Sequence, residues 1–358
     1  MHEVKARTPT VREESALQRS INRSGCNNSV RPPSDPYGLH ELDPKLRIST
    51  DGLRVSCVVK GCPHQLTPPS RKGHRGSVCP AHGIRVHKSR TYSYADYRRN
   101  LIIDEAFFDH EIRHHPFKYE SHRFGLECSE DALTWNVFRS FQRHRQLARI
   151  AELITHIPLN QEPRLFLWGL ELNQDNVTPW DLLIHARDRF EADLPVQRPK
   201  TEPDIGLWVP GQLLILIEAK FTSTNPTYRI DRTKLLDLTL GQLLQIYQWK
   251  GMRLLSLEEA RKREEIAYQL WRNLVFSENM ANADATSTKA YVANLVREGY
   301  ETEVCEPILT MMNLDRRDRF EQVSWEQLYR IAAEARMADL CRYMEQKAAR
   351  LRPAFKIP

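Results

Sequence analysis

Two short apolar runs, Ile205 to Val209 and Leu213 to Ile217, flank a Pro210-Gly211 turn. Runs of this length around a turn of this type read as a β-hairpin. Alternate residues of a strand share a face. Glu218 and Lys220, at the end of the second run, therefore project together while Ala219 points away. Antiparallel pairing brings Asp204, at the head of the first run, toward the Glu218 end. Glu218 follows five apolar residues, so it sits at the rim of a core and not on an open face.

The surrounding chain supplies the rest of a domain. Ser129 is placed as an N-cap. It opens a helical apolar face that runs through Ala132, Leu133, Trp135, Val137, Phe138, Phe141, Leu147, Ile150, Ala151 and Ile154. Arg164 to Leu172 alternates as one strand, and residues 180–194 read as a helix with a loop. After the hairpin, Lys234 to Trp249 reads as a helix, residues 256–281 as a long helix and residues 287–298 as a shorter one. Glu301 to Met311 reads as a strand, and Trp325 to Arg350 as a closing helix. This order predicts an α/β domain over residues 104–358 with a central mixed sheet flanked by helices. It is preceded by a disordered basic arm, residues 1–50, rich in Arg, Ser, Asn and Pro. Residues 51–103 form a small module between them.

Charge is unevenly placed. Residues 1–100 carry 18 Lys and Arg against 8 Asp and Glu, whereas the remainder carries 34 against 38. The front of the chain is thus the expected contact for a polyanion, DNA above all. No apolar run approaches the length of a membrane span, and no export signal is visible. Seven scattered cysteines, three of them close together, fit a reducing cytoplasm with one metal cluster. No Gly-rich phosphate loop and no Ser elbow is present, which argues against direct ATP use and hydrolase-type serine chemistry.

Asp204, Glu218 and Lys220 form a set suited to phosphodiester cleavage. Mg²⁺ takes hard oxygen ligands and keeps several waters, so two carboxylates suffice, joined by the Ala219 carbonyl. A lysine beside the metal orients or deprotonates water and stabilises the charge of the transition state. The order Pro203-Asp204, a 13-residue gap, then Glu218-Ala219-Lys220 resembles the PD-(D/E)xK nuclease superfamily, with its restriction-endonuclease-like fold. The resemblance implies a Mg²⁺-dependent nuclease acting on DNA. It also implies a further acid on a helix before the sheet, which falls on Glu130, with Glu127 and Asp131 as alternatives. A Gln-x-x-x-Tyr element on the helix after the catalytic strand has its nearest counterpart in Gln245-x-x-x-Trp249. The implied setting is phage defence, mobile-element processing or repair, with or without a partner protein.

Cys57-x4-Cys62 is followed, 16 residues later, by Cys79-x2-His82. Two ligand pairs on two tight turns make the Cys₃His sphere of structural Zn²⁺, in a module similar to a zinc ribbon. His64, His74 and His87 compete for the fourth place. Arg71, Lys72, Arg75, Arg85, Lys88 and Arg90 surround it and suit a nucleic-acid backbone. His110, His114 and His115 read as a polar face, and Glu171 as a surface strand end. Arg316, Arg317 and Arg319 read either as phosphate contacts or as solvated. The competing function is a nuclease-like scaffold that binds DNA or protein without cutting. A third reading is a subunit that cuts only beside a partner ATPase or recognition protein.

Overall fold

The computed structural model describes residues 54–59, 61–68, 76–86, 92–112, 123–174, 176–192, 201–231, 234–235, 238–247, 253–284, 288–351 and 354–357. The expected arm at residues 1–50 lies outside these, as do His74, His87, His114, His115 and Trp249. So do Arg71, Lys72, Arg75, Lys88 and Arg90.

At the front, β1 (Val55–Ser56) pairs with β2 (Gln65–Leu66), and β3 (Ile84–Val86) pairs with β4 (Tyr92–Tyr94), both antiparallel. Their inward residues form a small core of Val55, Val58, Leu66, Ile84, Val86, Tyr92 and Tyr94 around Cys57 and Cys79. A short helix, α1 (Glu105–Glu111), leads to α2 (Glu130–Arg143). Ser129 caps α2 by accepting from the Ala132 amide, as its sequence position predicts. Every residue from Ala132 to Phe141 is buried, so α2 is a central helix. The long apolar face divides in two. Arg145 adopts a left-handed conformation (φ 55°), and a second helix, α3 (Leu147–Thr155), begins after it.

Arg164 to Leu172 is two strands, β5 (Arg164–Leu167) and β6 (Leu170–Leu172), and not one. Trp168 and Gly169 both have positive φ, 54° and 81°, as a tight hairpin turn demands. A tryptophan pays steric strain in that conformation. Its ring is held by Trp135 and Phe124, at 6.5 and 5.7 Å between centroids. Then come β7 (Val177–Pro179), α4 (Asp181–Glu191) and the anticipated hairpin, β8 (Ile205–Val209) and β9 (Leu213–Ala219). All seven residues of β9 are buried.

The region after the hairpin departs most from expectation. Lys234 to Trp249 holds two short strands, β11 (Lys234–Leu235) and β12 (Leu238–Thr239), before α5 (Leu240–Tyr247). The long helix at 256–281 is broken into α6 (Leu257–Arg261), β13 (Glu265–Ala267) and α7 (Tyr268–Ala283). The interruption arises because β13 pairs with β10 (Thr227–Arg229). Residues 287–298 contain a strand, β14 (Lys289–Val296), and not a helix. Residues 301–311 contain a helix, α8 (Thr302–Met311), and not a strand. A 3-10 turn (Leu314–Arg319) then leads into β15 (Phe320–Ser324). The closing helix is two, α9 (Trp325–Glu334) and α10 (Ala338–Arg350), separated where Arg336 turns left-handed (φ 57°).

Seven strands form one mixed sheet in the order β15-β14-β9-β8-β5-β6-β7. β14 runs parallel to both β9 and β15, while β9, β8, β5, β6 and β7 are antiparallel neighbours. Parallel neighbours need crossovers, and the long excursion between β9 and β14 supplies one. Its helix α7 packs on both strands. The α/β class with a mixed sheet flanked by helices is as the sequence predicts. Among the described residues, no helix is long and apolar enough to cross a membrane.

Candidate active site and metal centre

The hairpin register sets the site. Ile205 pairs with Ile217, so Asp204 and Glu218 lie just past the same end of the ladder. The Ala219 amide donates to Asp204 Oδ2 at 3.0 Å, and the Trp168 amide donates to the Asp204 carbonyl at 3.2 Å. The strained turn between β5 and β6 thereby fixes the backbone of a site residue.

Lys220 is buried, and its Nζ donates to Glu218 Oε1 at 2.6 Å. Its backbone is clamped from two directions. The Lys220 amide donates to the Leu295 carbonyl at 2.8 Å, and Trp325 Nε1 donates to the Lys220 carbonyl at 2.9 Å. Burial by itself depresses a lysine. Here the charges of Glu218, Asp204 and Glu130 outweigh it and raise the ammonium above the ordinary lysine range. Three acids are therefore felt at one cation.

Glu130 stands in the first turn of α2 and accepts from Ser223 Oγ at 2.7 Å. Burial raises its carboxyl above the usual range. The Ser223 hydroxyl, the Lys220 charge and the Phe221 amide oppose that rise. The alternative Glu127 is engaged elsewhere, taking Tyr94 Oη at 3.0 Å and lying 3.3 Å from Lys347 Nζ. Asp131 neighbours Glu130 and raises its carboxyl slightly. Glu171 is tied to Arg164 and Thr178. Gln245 is exposed on α5.

Asn273 joins these residues without a motif to mark it. It lies on α7, fully buried, and its Nδ2 donates to Glu218 Oε2 at 3.2 Å. Its Oδ1 is buried with no hydrogen-bond partner among the described residues. A polar residue inside the otherwise apolar Leu270-Trp271-x-x-Leu274-Val275 pattern was the available signal. The donor set of Asp204 and Glu218 carboxylates beside an unsatisfied amide oxygen is hard and anionic, which suits Mg²⁺.

The second cluster gathers the four residues that its spacing predicts. Cys57, Cys62, Cys79 and His82 place their donor atoms within 4.8 Å of one another. Cys57 Sγ and Cys79 Sγ lie 3.5 and 3.4 Å from His82 Nδ1, and Cys62 Sγ lies 3.9 Å from Cys79 Sγ. A tetrahedral Zn²⁺ sphere needs ligand separations of roughly 3.5 to 3.8 Å. The backbone prepares the turns: the Cys62 amide donates to the Val59 carbonyl, and the Gly83 amide to the Cys79 carbonyl. Burial, then the charges of Arg99 and His64, lower His82 toward the neutral form that ligates metals.

No curated protein and no solved structure matches this chain. The family described as "Restriction Endonuclease associating with ARP" matches residues 79–348, well over half of the chain. That span takes in Glu130, Asp204, Glu218, Lys220, Asn273 and the second half of the cysteine–histidine cluster. The chain belongs to this family of restriction endonucleases.

Proposed function

We propose that this protein is a Mg²⁺-dependent deoxyribonuclease, an endonuclease of the PD-(D/E)xK type, with Zn²⁺ in its front module. The observation that carries the reading is the buried Lys220 ammonium bonded to Glu218, with Asp204 held by the adjoining Ala219 amide and Glu130 by Ser223. Membership of a restriction-endonuclease family supports it and favours the restriction of foreign DNA over repair.

Asp204 and Glu218 would hold the Mg²⁺, which supplies charge neutralisation and an activated water when bound. Asn273 holds Glu218 at one oxygen while Lys220 holds the other. The carboxylate is thus oriented from both sides. Lys220 presents a fixed positive charge where phosphoryl oxygens would gain negative charge. Its clamped backbone limits its reach, so the ammonium stays at the sheet end. Glu130, with its raised carboxyl, is placed to hold or relay a proton near Ser223. Cys57, Cys62, Cys79 and His82 would bind structural Zn²⁺, since four protein ligands leave no open position.

Lys220→Ala should abolish Mg²⁺-dependent nicking of plasmid DNA while leaving the circular dichroism spectrum intact. Undiminished cleavage by that variant would overturn the mechanism. A second reading is favoured by the family's description as associating with ARP: cutting requires a partner protein. Inactivity of the purified chain, with cleavage restored in a reconstituted mixture, selects it.

A further inference from the structure

At the opposite end of the sheet lies a cavity of about 480 Å³, within the range of small-molecule sites. Its described lining includes Arg253, Lys289, Arg316 and Arg319 against two acids, Glu278 and Asp284. Lys289 pairs with Leu213 at the start of β9, and Glu218 lies five residues further along that strand. At about 3.3 Å per residue, the cavity stands about 17 Å from the Lys220 site.

Three observations distinguish this cavity from a solvated basic surface. First, Glu278 is 6% exposed, and its Oε1 accepts the Arg253 and Leu254 amides. Its Oε2 is buried with no partner among the described residues. Nearly all buried polar atoms in native proteins are paired, so an orphan beside a cavity calls for a ligand atom. Second, Asp284 is already engaged by the Thr288 hydroxyl at 2.6 Å and by Trp208 Nε1 at 3.3 Å. Its charge is thereby fixed in place, and the described lining sets four cations against two acids. Third, Arg319 is only 11% exposed and is pre-ordered. Its guanidinium lies over the Tyr291 ring, 4.6 Å from the centroid, and donates to the Tyr291 hydroxyl. Arg316 lies 3.2 Å from the exposed Asp315 carboxylate. Ordered guanidinium groups favour phosphate.

We propose that this cavity is a second ligand site, for a small phosphorylated molecule of nucleotide size. Arg316, Arg319 and Lys289 take the phosphate, and Glu278 Oε2 hydrogen-bonds the base. Burial raises the Glu278 carboxyl above its usual range, against the Arg253 and Leu254 amides and the charges of Arg253 and Arg316. A carboxyl so poised can serve as donor or acceptor to a base edge.

The test is calorimetric titration of the full chain with the four ribonucleoside 5′-monophosphates, inorganic phosphate and a 5′-phosphorylated DNA duplex, in Mg²⁺-free buffer without chelator so that any bound Zn²⁺ is kept. Saturable binding of at least one nucleotide is expected, tighter than phosphate alone. The surface double variant Lys289→Gln/Arg316→Gln should weaken it at least tenfold with an unchanged melting temperature. Glu278→Gln should reorder the preference among the four bases, and Lys220→Ala should bind as the native chain does. Absence of nucleotide binding overturns the proposal. So does binding that the double variant leaves intact, or binding lost in Lys220→Ala. Binding of a 5′-phosphorylated DNA duplex alone also overturns it and assigns the cavity to DNA ends.

Discussion

Single residues carry more of this site than their sequence neighbours suggest. Asp204, Glu218 and Lys220 were legible because strand alternation and a turn leave little freedom in a hairpin. Asn273 was not, because a lone polar residue on an apolar helix does not say which strand it faces. If Asn273 positions Glu218, Asn273→Ala should raise the Mg²⁺ concentration needed for half-maximal cleavage roughly 10- to 100-fold, as removal of such supports does elsewhere. A merely structural role would lower the melting temperature without moving that midpoint. Asp104 offers a separate test. Its carboxylate receives Arg139 Nε at 2.5 Å and Arg143 Nε at 2.8 Å, and Arg139 is 1% exposed. Burial alone raises an aspartate, but the two guanidinium groups win and hold Asp104 below its usual value. The stability this supplies is present at neutral pH, above the unfolded-state value, and is lost as pH falls through the depressed folded-state value. Asp104→Asn keeps a residue type that tolerates the left-handed φ of 53° found there. It should cost about 3 kcal/mol in urea unfolding at pH 7, and the difference should shrink below pH 3.8.

Elements were legible where one period dominated. The β8–β9 hairpin and the Ser129-capped helix follow from turn and cap chemistry. β14 did not, because a strand buried on both faces of a parallel pairing shows a continuous apolar run that periodicity cannot separate from a helix. Conversely, Val304, Ile308 and Met311 of α8 are the buried positions, at helical spacing, but Pro307 inside the helix disguised it. The break at β13 comes from pairing with the distant β10, Tyr228 against Ile266, which no local window contains. Packing between elements is close at Gly206 of β8. There the Trp180 ring lies across the strand and stacks on Phe166 at 3.9 Å. A Cβ at Gly206 would fall within that ring's contact envelope. Gly206→Ala should therefore destabilise by about 1–3 kcal/mol through overpacking, measured as a lower urea midpoint with unchanged slope.

On the scale of the whole molecule, the front module and the closing helix α10 share buried polar ties. Tyr94 of β4 reaches Glu127, whose backbone and carboxylate both meet Lys347 of α10. Lys347 also donates to Asn100 Oδ1 at 3.0 Å. If Cys57, Cys62, Cys79 and His82 hold a structural ion, the purified chain should contain one Zn²⁺ per molecule by atomic emission. Cys79→Ser should lose it and melt at a lower temperature. Full zinc content in that variant would sink the assignment.

The clamp on Lys220 has a consequence for how the protein is made. The carbonyl of Lys220 is secured by Trp325, 105 positions later in the chain. A ribosome that has just released the hairpin has produced the acids and the lysine but not the groups that lock them. The finished arrangement can arise only after the start of α9 emerges. The assembly order itself thus keeps the proposed cutting centre incomplete until synthesis of the domain is nearly over.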